Sequence, residues 1–150
     1  MTGAYRIIRD WPGLPAAELE DLEGDLRGEF VAPLRRVAPF GLGLLGLPRW
    51  HGKRFARSGS QELSGFNLLR RRNRSAPFEE RVQMRAVRGQ GLADGRPALV
   101  ITYASDAPRP WRWVRDEVRG GADGGLVAMS YVDLPVLRRG GLPFLLHREG

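Results

Sequence analysis

Residues 78–103 read FEERVQMRAVRGQGLADGRPALVITY, and this stretch decides the fold. Val82, Met84 and Ala86 alternate with Arg81, Gln83 and Arg85, the two-residue period of a strand with one face against a core. Leu99, Ile101 and Tyr103 repeat the alternation after a gap. Within the gap stands Asp94-Gly95, a dipeptide suited to the positive φ of a tight hairpin. Two antiparallel strands joined by a hairpin are the simplest product.

Runs of the same texture lie on both sides: WHGKRFARSG and ELSGFNLLRR before it, PWRWVRDEVRG, GLVAMSYVDL and LPFLLHR after it. Turn-type clusters separate them, at Ser58-Gly59-Ser60, Asn73 to Pro77, Asp106 to Pro110, Gly120 to Gly125 and Arg138 to Gly141. Short connections make successive strands antiparallel neighbours. An up-and-down meander of this length with one apolar face closes most easily as a barrel, which removes its unpaired edges. The expectation is a mainly β protein, an antiparallel barrel of about seven to nine strands.

The N-terminal part reads differently. Leu19, Leu22, Leu26, Phe30, Leu34 and Val37 recur at three- and four-residue steps, which predicts one apolar stripe on a helix. Pro15 followed by Glu18, Glu20 and Asp21 suits a helix start, and Arg35 and Arg36 suit the other end. Pro33 should split it, and Gly24 and Gly28 weaken it, so two short helices are expected. Residues 39–48, PFGLGLLGLP, read as a short buried connector, a loop over a cavity mouth or a membrane-touching lip. The bracketing Pro39 and Pro48 favour the connector. The chain is then one domain, with a helical segment and connector over 1–48 and the barrel over 49–150.

Composition removes several chemistries. There is no Cys among the 150 residues, which excludes a disulfide framework, an iron–sulfur cluster, a thiolate zinc site and a Cys nucleophile. No phosphate-binding Walker loop, nucleophile elbow, zinc spacing or Rossmann turn is present. The formal charge is +7, and Lys53 is the lone lysine beside 23 arginines. Such an excess favours anionic partners without specifying one. No apolar run reaches transmembrane length and the first residues lack a secretory layout, so the expected location is the cytoplasm.

Trp50-His51-Gly52-Lys53-Arg54-Phe55 carries a family likeness. A W-x-G-K-x-F strand, Asn67 in the next, a D-G hairpin, a strand ending in Tyr103, then Asp116-Glu117-Val118 and a final Phe144-Leu145-Leu146 follow in order. This series resembles small bacterial proteins of the lipocalin-like (calycin) kind. The resemblance implies a cup-shaped barrel for a small apolar or amphipathic ligand, with the N-terminal segment as lid or plug. No cofactor is expected, although a His late in a final strand, as His147 is, resembles the haem-bound His of nitrobindin-type barrels. An edge-strand His is the plainer reading of both His51 and His147.

Parity then selects candidate ligand-binding residues. Lys53 shares a face with Phe55, and Asp116 lies between Val114 and Val118, so both charges point toward a lumen if the strands are regular. Buried charges need partners, which motivates a Lys53–Asp116 pair. A bulge at Gly52 or beside Trp113 would instead turn one of them to solvent. Asn67 and Tyr103 are candidates for the same cavity. A second reading is an enzyme of the cyclase or isomerase type, with Lys53, Asp116 and Tyr103 polarising a carbonyl. A third is nucleic-acid or anionic-surface binding through Arg70, Arg71, Arg72 and Arg74, with Arg49, Lys53, Arg54 and Arg57 upstream. Against it, the N-terminal acids from Glu18 to Glu29 can dock on that patch.

Overall fold

The structure, a computed structural model, describes residues 3–35, 37–71, 78–121 and 124–149. Eight strands close an antiparallel barrel in which each pairs with its sequence neighbours. They are β1 Gly24–Phe30, β2 Trp50–Gly59, β3 Glu62–Arg70, β4 Phe78–Gln90, β5 Pro97–Tyr103, β6 Val114–Gly120, β7 Leu126–Val132 and β8 Leu142–Arg148. The ring is sealed by β1 on β8, from Leu26 opposite Arg148 to Phe30 opposite Phe144. Two α-helices accompany the strands among the described residues, α1 Ala4–Asp10 and α2 Ala38–Leu44. The β4–β5 hairpin turns at Asp94-Gly95 as read, with Gly95 at φ 68°. Asn73 to Pro77 lies outside the described residues, as do Arg36, Arg72 and Arg74, and Gly120 to Gly125 is described only in part.

The expected helices over 19–37 are not there. Leu19–Leu22 is a single 3-10 turn, Gly24–Phe30 is β1, and residues 32–35 form turns. The apolar stripe was shared among three elements. Leu19 and Leu22 stop up one end of the barrel, Leu26 and Phe30 face its interior, and Val37 is exposed. The barrel border therefore lies before residue 49, and the N-terminal helix is α1. Within GDLRGEF the governing pattern is Leu26, Gly28, Phe30, a period of two. A strand here gains ladder partners on both sides, whereas a helix with two glycines in seven residues has little propensity.

The ends differ. At the closed end Leu22, Leu26, Leu63, Leu99, Val118 and Leu146 fill the interior, all at 0–1% exposure. Each such side chain contributes about 1.5–3 kcal/mol by leaving water. The open end is framed by the β1–β2, β3–β4, β5–β6 and β7–β8 connections. A second, smaller core lies outside the barrel, where Ile7 and Trp11 cover Val127, Met129 and Tyr131 of β7.

Arg119 anchors that outer layer. It is fully buried, and all five of its guanidinium N–H groups have acceptors: both Asp94 oxygens at 2.8 and 2.9 Å, and the carbonyls of Trp11, Arg96 and Pro97. It also stacks 4.4 Å from the centre of the Trp11 ring. Hydrogen bonds from Arg119 hold the Asp94 carboxyl down at about 2.

Candidate functional site

The W-x-G-K spacing has a geometric meaning. Trp50 and Lys53 are three apart, so a regular strand would send them to opposite faces. The β2–β3 register slips between Trp50, opposite Leu69, and Gly52, opposite Leu68. This bulge at His51 turns both side chains inward, the reverse of the solvent-facing flip that a bulge could have caused. Gly52 is required by the close approach of β1: a Cβ there would lie 1.8 Å from the Leu26 carbonyl oxygen.

Lys53 and Asp116 meet in the lumen, Nζ to Oδ2 at 3.1 Å, at 2% and 3% exposure. The Lys53 ammonium also donates to Asn67 Oδ1 and to the Tyr103 hydroxyl oxygen, each at 3.1 Å. Its three N–H groups are thereby used. Asn67 Oδ1 accepts a second bond from Trp50 Nε1, and Asn67 Nδ2 donates to Tyr103 OH, both at 3.1 Å. Lys53 sits beside Met84 Sδ as well, at 3.7 Å. Burial works against the lysine charge, but the surrounding Tyr103 and Asp116 oxygens outweigh it and raise its affinity for the proton. Burial likewise raises the Tyr103 hydroxyl, so it stays protonated at neutral pH. With two bonds accepted at its oxygen, the Tyr103 proton is the donor left for another acceptor.

These groups form the polar floor of a cavity of about 220 Å³. Trp50, Trp111, Phe30 and Phe144 line its sides, and Ser130 adds a hydroxyl. The roof comes from α2 and the residues after it, through Gly41, Leu42, Leu45 and Leu47. Residues 39–48 are therefore most of α2 and the turn after it, set over a cavity mouth, not a buried connector. The segment is held there by Trp111 Nε1 donating to the Leu45 carbonyl at 2.9 Å and by Arg81 on the Gly46 carbonyl at 3.1 Å.

Of the sequence candidates, Lys53, Asn67, Tyr103 and Asp116 converge. Phe55 shares their interior face but packs in the core beneath, away from the cavity wall. Trp111, Ser130, Phe144 and the α2 leucines were not singled out from sequence. Ser130 was findable, since it shares parity with Ala128 and Val132 in β7. Trp111 was not, because it belongs to a 3-10 turn before β6. His147 lies on the outside of β8 against Glu29, at 2.7 Å, and His51 against Glu149, at 2.6 Å. Neither points toward the lumen cluster.

Among the described residues the arginines of the patch are dispersed. Arg54 pairs bidentately with Asp25 at 2.7 and 2.9 Å, and Arg57 reaches Glu20 and Glu23, so N-terminal acids do dock on it. Arg49 and Arg71 donate to the carbonyls of Arg70 and Phe78. Among the described residues no three His, Cys, Asp or Glu side chains gather as metal ligands. None of the helices described is long and apolar enough to cross a membrane.

A solved structure, that of a protein from Thermomonospora curvata, is similar over 97% of this chain and 87% of its own, with a TM-score of 0.65 and 19% identity. That likeness is one of fold. No protein-family model and no curated protein matches the chain.

Proposed function

We propose that the protein is a lipocalin-like carrier of the cytoplasm that holds a small, mainly apolar molecule with one neutral oxygen acceptor. The observation that carries this reading is the convergence of Lys53, Asn67, Tyr103 and Asp116 on the floor of an otherwise apolar cavity. Asp116 neutralises Lys53, so the floor has no net charge to offer a carboxylate. The Tyr103 proton suits a carbonyl or an ester. At about 220 Å³ the space is smaller than the roughly 300–1,000 Å³ usual for drug-sized ligands, which argues for a compact one.

Trp50 and Trp111 line the cavity and supply the readout. Titrating with a methyl ketone, the carboxylate of equal chain length and the parent alkane should quench tryptophan emission in the order ketone, alkane, carboxylate. Tyr103→Phe should weaken the ketone by about five- to tenfold and leave the alkane unchanged. Equal affinity for ketone and carboxylate, or no response to any of the three, would refute the reading.

A cyclase- or isomerase-type reaction is the second reading, favoured by one observation. The Lys53 ammonium stands 3.1 Å behind the Tyr103 oxygen, where it would stabilise phenolate character while Tyr103 protonates or polarises a carbonyl. Turnover of a bound carbonyl compound that is lost in Tyr103→Phe, with binding retained, would favour the enzyme over the carrier.

A further inference from the structure

The open end of the barrel has a surface unlike the rest of the molecule. Eight large apolar side chains are exposed among the described residues, and six of them are in the β1–β2 and β7–β8 connections or at the first residue of β8. Val37, Leu44 and Leu45 belong to the α2 segment, and Val136, Leu137 and Leu142 to the facing loop. Because β1 pairs with β8, these two connections are neighbours at the mouth. Leu44 is 74% exposed and Val136 73%, values that no folding requirement explains.

Charge is distributed to match. Arginine outnumbers acid in every described part of the open-end connections. The β1–β2 connection has Arg35 and Arg49 with no acid, and β3 ends in Arg70, with Arg71 just after it. Arg109 and Arg112 face one Asp106, and Arg138 and Arg139 one Asp133. Of these arginines only Arg138 has an ion-pair partner among the described residues, Asp133 at 3.3 Å. Toward the closed end Arg57 is instead neutralised by Glu20 and Glu23, Arg88 by Glu18 and Arg119 by Asp94. The molecule thus has a basic, apolar mouth and a charge-compensated base.

We propose that this mouth docks on the surface of an anionic phospholipid bilayer, with Leu44, Val136 and Leu137 inserted among the acyl chains and the surrounding arginines on lipid phosphates. Apolar side chains ringed by arginines that, Arg138 aside, have no ion-pair partner among the described residues match the layered chemistry of that interface. Two copies joined mouth to mouth would oppose like charges, and a nucleic acid offers nothing to cover the leucines. Docking there places α2, the roof of the cavity, at the acyl boundary. The inference stands on surface residues alone and does not depend on which molecule the lumen holds.

Co-sedimentation of the full chain with phosphatidylcholine vesicles, with and without an equal share of phosphatidylglycerol, tests it. The protein should pellet with the anionic vesicles, stay in solution with the zwitterionic ones, and release at high salt. Leu44→Asp with Val136→Asp should lower the bound fraction at least about tenfold, and Arg35→Glu with Arg139→Glu should do so independently. All four side chains are exposed, so melting points should not move. Arg148→Glu, at the closed end, should change binding by less than about twofold. Failure to bind anionic vesicles overturns the proposal. So does an equal loss from Arg148→Glu, which would mean diffuse attraction. A concentration-dependent dimer abolished by the Leu44 and Val136 changes would assign the face to a second copy, and RNA binding indifferent to those changes would assign it to nucleic acid.

Discussion

Lys53 and Asp116 are held 3.1 Å apart with almost no access to water. Taking two such charges from water costs several kcal/mol each, offset only by good geometry and by hydrogen bonds to both partners. The geometry is good here, since Asn67 and Tyr103 complete the ammonium's shell. Lys53→Met alone should therefore destabilise the fold by about 3–5 kcal/mol, because a carboxylate is left buried without its cation. Removing both charges, as in Lys53→Met with Asp116→Leu, should restore much of the stability. Denaturant titrations of the four proteins give the coupling energy. A value within about 0.5 kcal/mol of zero would mean that the pair contributes no more than an exposed one, and would end this account.

At the scale of elements, β1 is where sequence and structure part. Leucines at three- and four-residue steps imitate a helix, yet Leu19, Leu26 and Val37 end up in three different settings. What marks β1 as a strand is its glycines, and only contact with another strand gives that mark meaning. Gly28 lies under the Trp50 ring, where a Cβ would come 2.1 Å from a ring carbon. Gly28→Ala separates the two readings by sign. In a helix it would stabilise by about 1 kcal/mol. In β1 it should destabilise by about 1–3 kcal/mol and shift Trp50 emission, seen by thermal melting and fluorescence. The lumen cluster, by contrast, was legible, because alternate residues of paired strands must share a face. Lys53 and Phe55 on one face of β2 follow from that rule, whereas the register that sets Lys53 opposite Asn67 does not. The α2 roof was not legible, since what lies over a cavity mouth depends on how the chain returns across it, and period carries no such information.

For the molecule as a whole, the outer layer matters as much as the lumen. Arg119 joins three parts of the chain at once: the turn after α1 through the Trp11 carbonyl, the β4–β5 hairpin through Asp94, and β6 on which it resides. Nothing in its local sequence distinguishes it from the other arginines, because its partners come from 25 and 108 residues away. Asp94 is held at about 2, below its ordinary value of 3.8, mainly by hydrogen bonds from Arg119. A carboxyl whose folded value is depressed adds stability that is fully present above its unfolded value. That stability is lost as pH falls through the folded value. The latch should accordingly hold down to about pH 4 and release progressively between about pH 4 and pH 2. Release would free a buried guanidinium and uncover Val127, Met129 and Tyr131, so α1 should detach before the barrel opens. Asp94→Asn should lower the melting point at neutral pH while flattening its fall across that acid window. Hydrogen exchange should show α1 amides losing protection ahead of the strand amides in the wild-type protein at low pH. An Asp94→Asn melting curve that falls as steeply with acid as the wild type would place the acid-labile contact elsewhere.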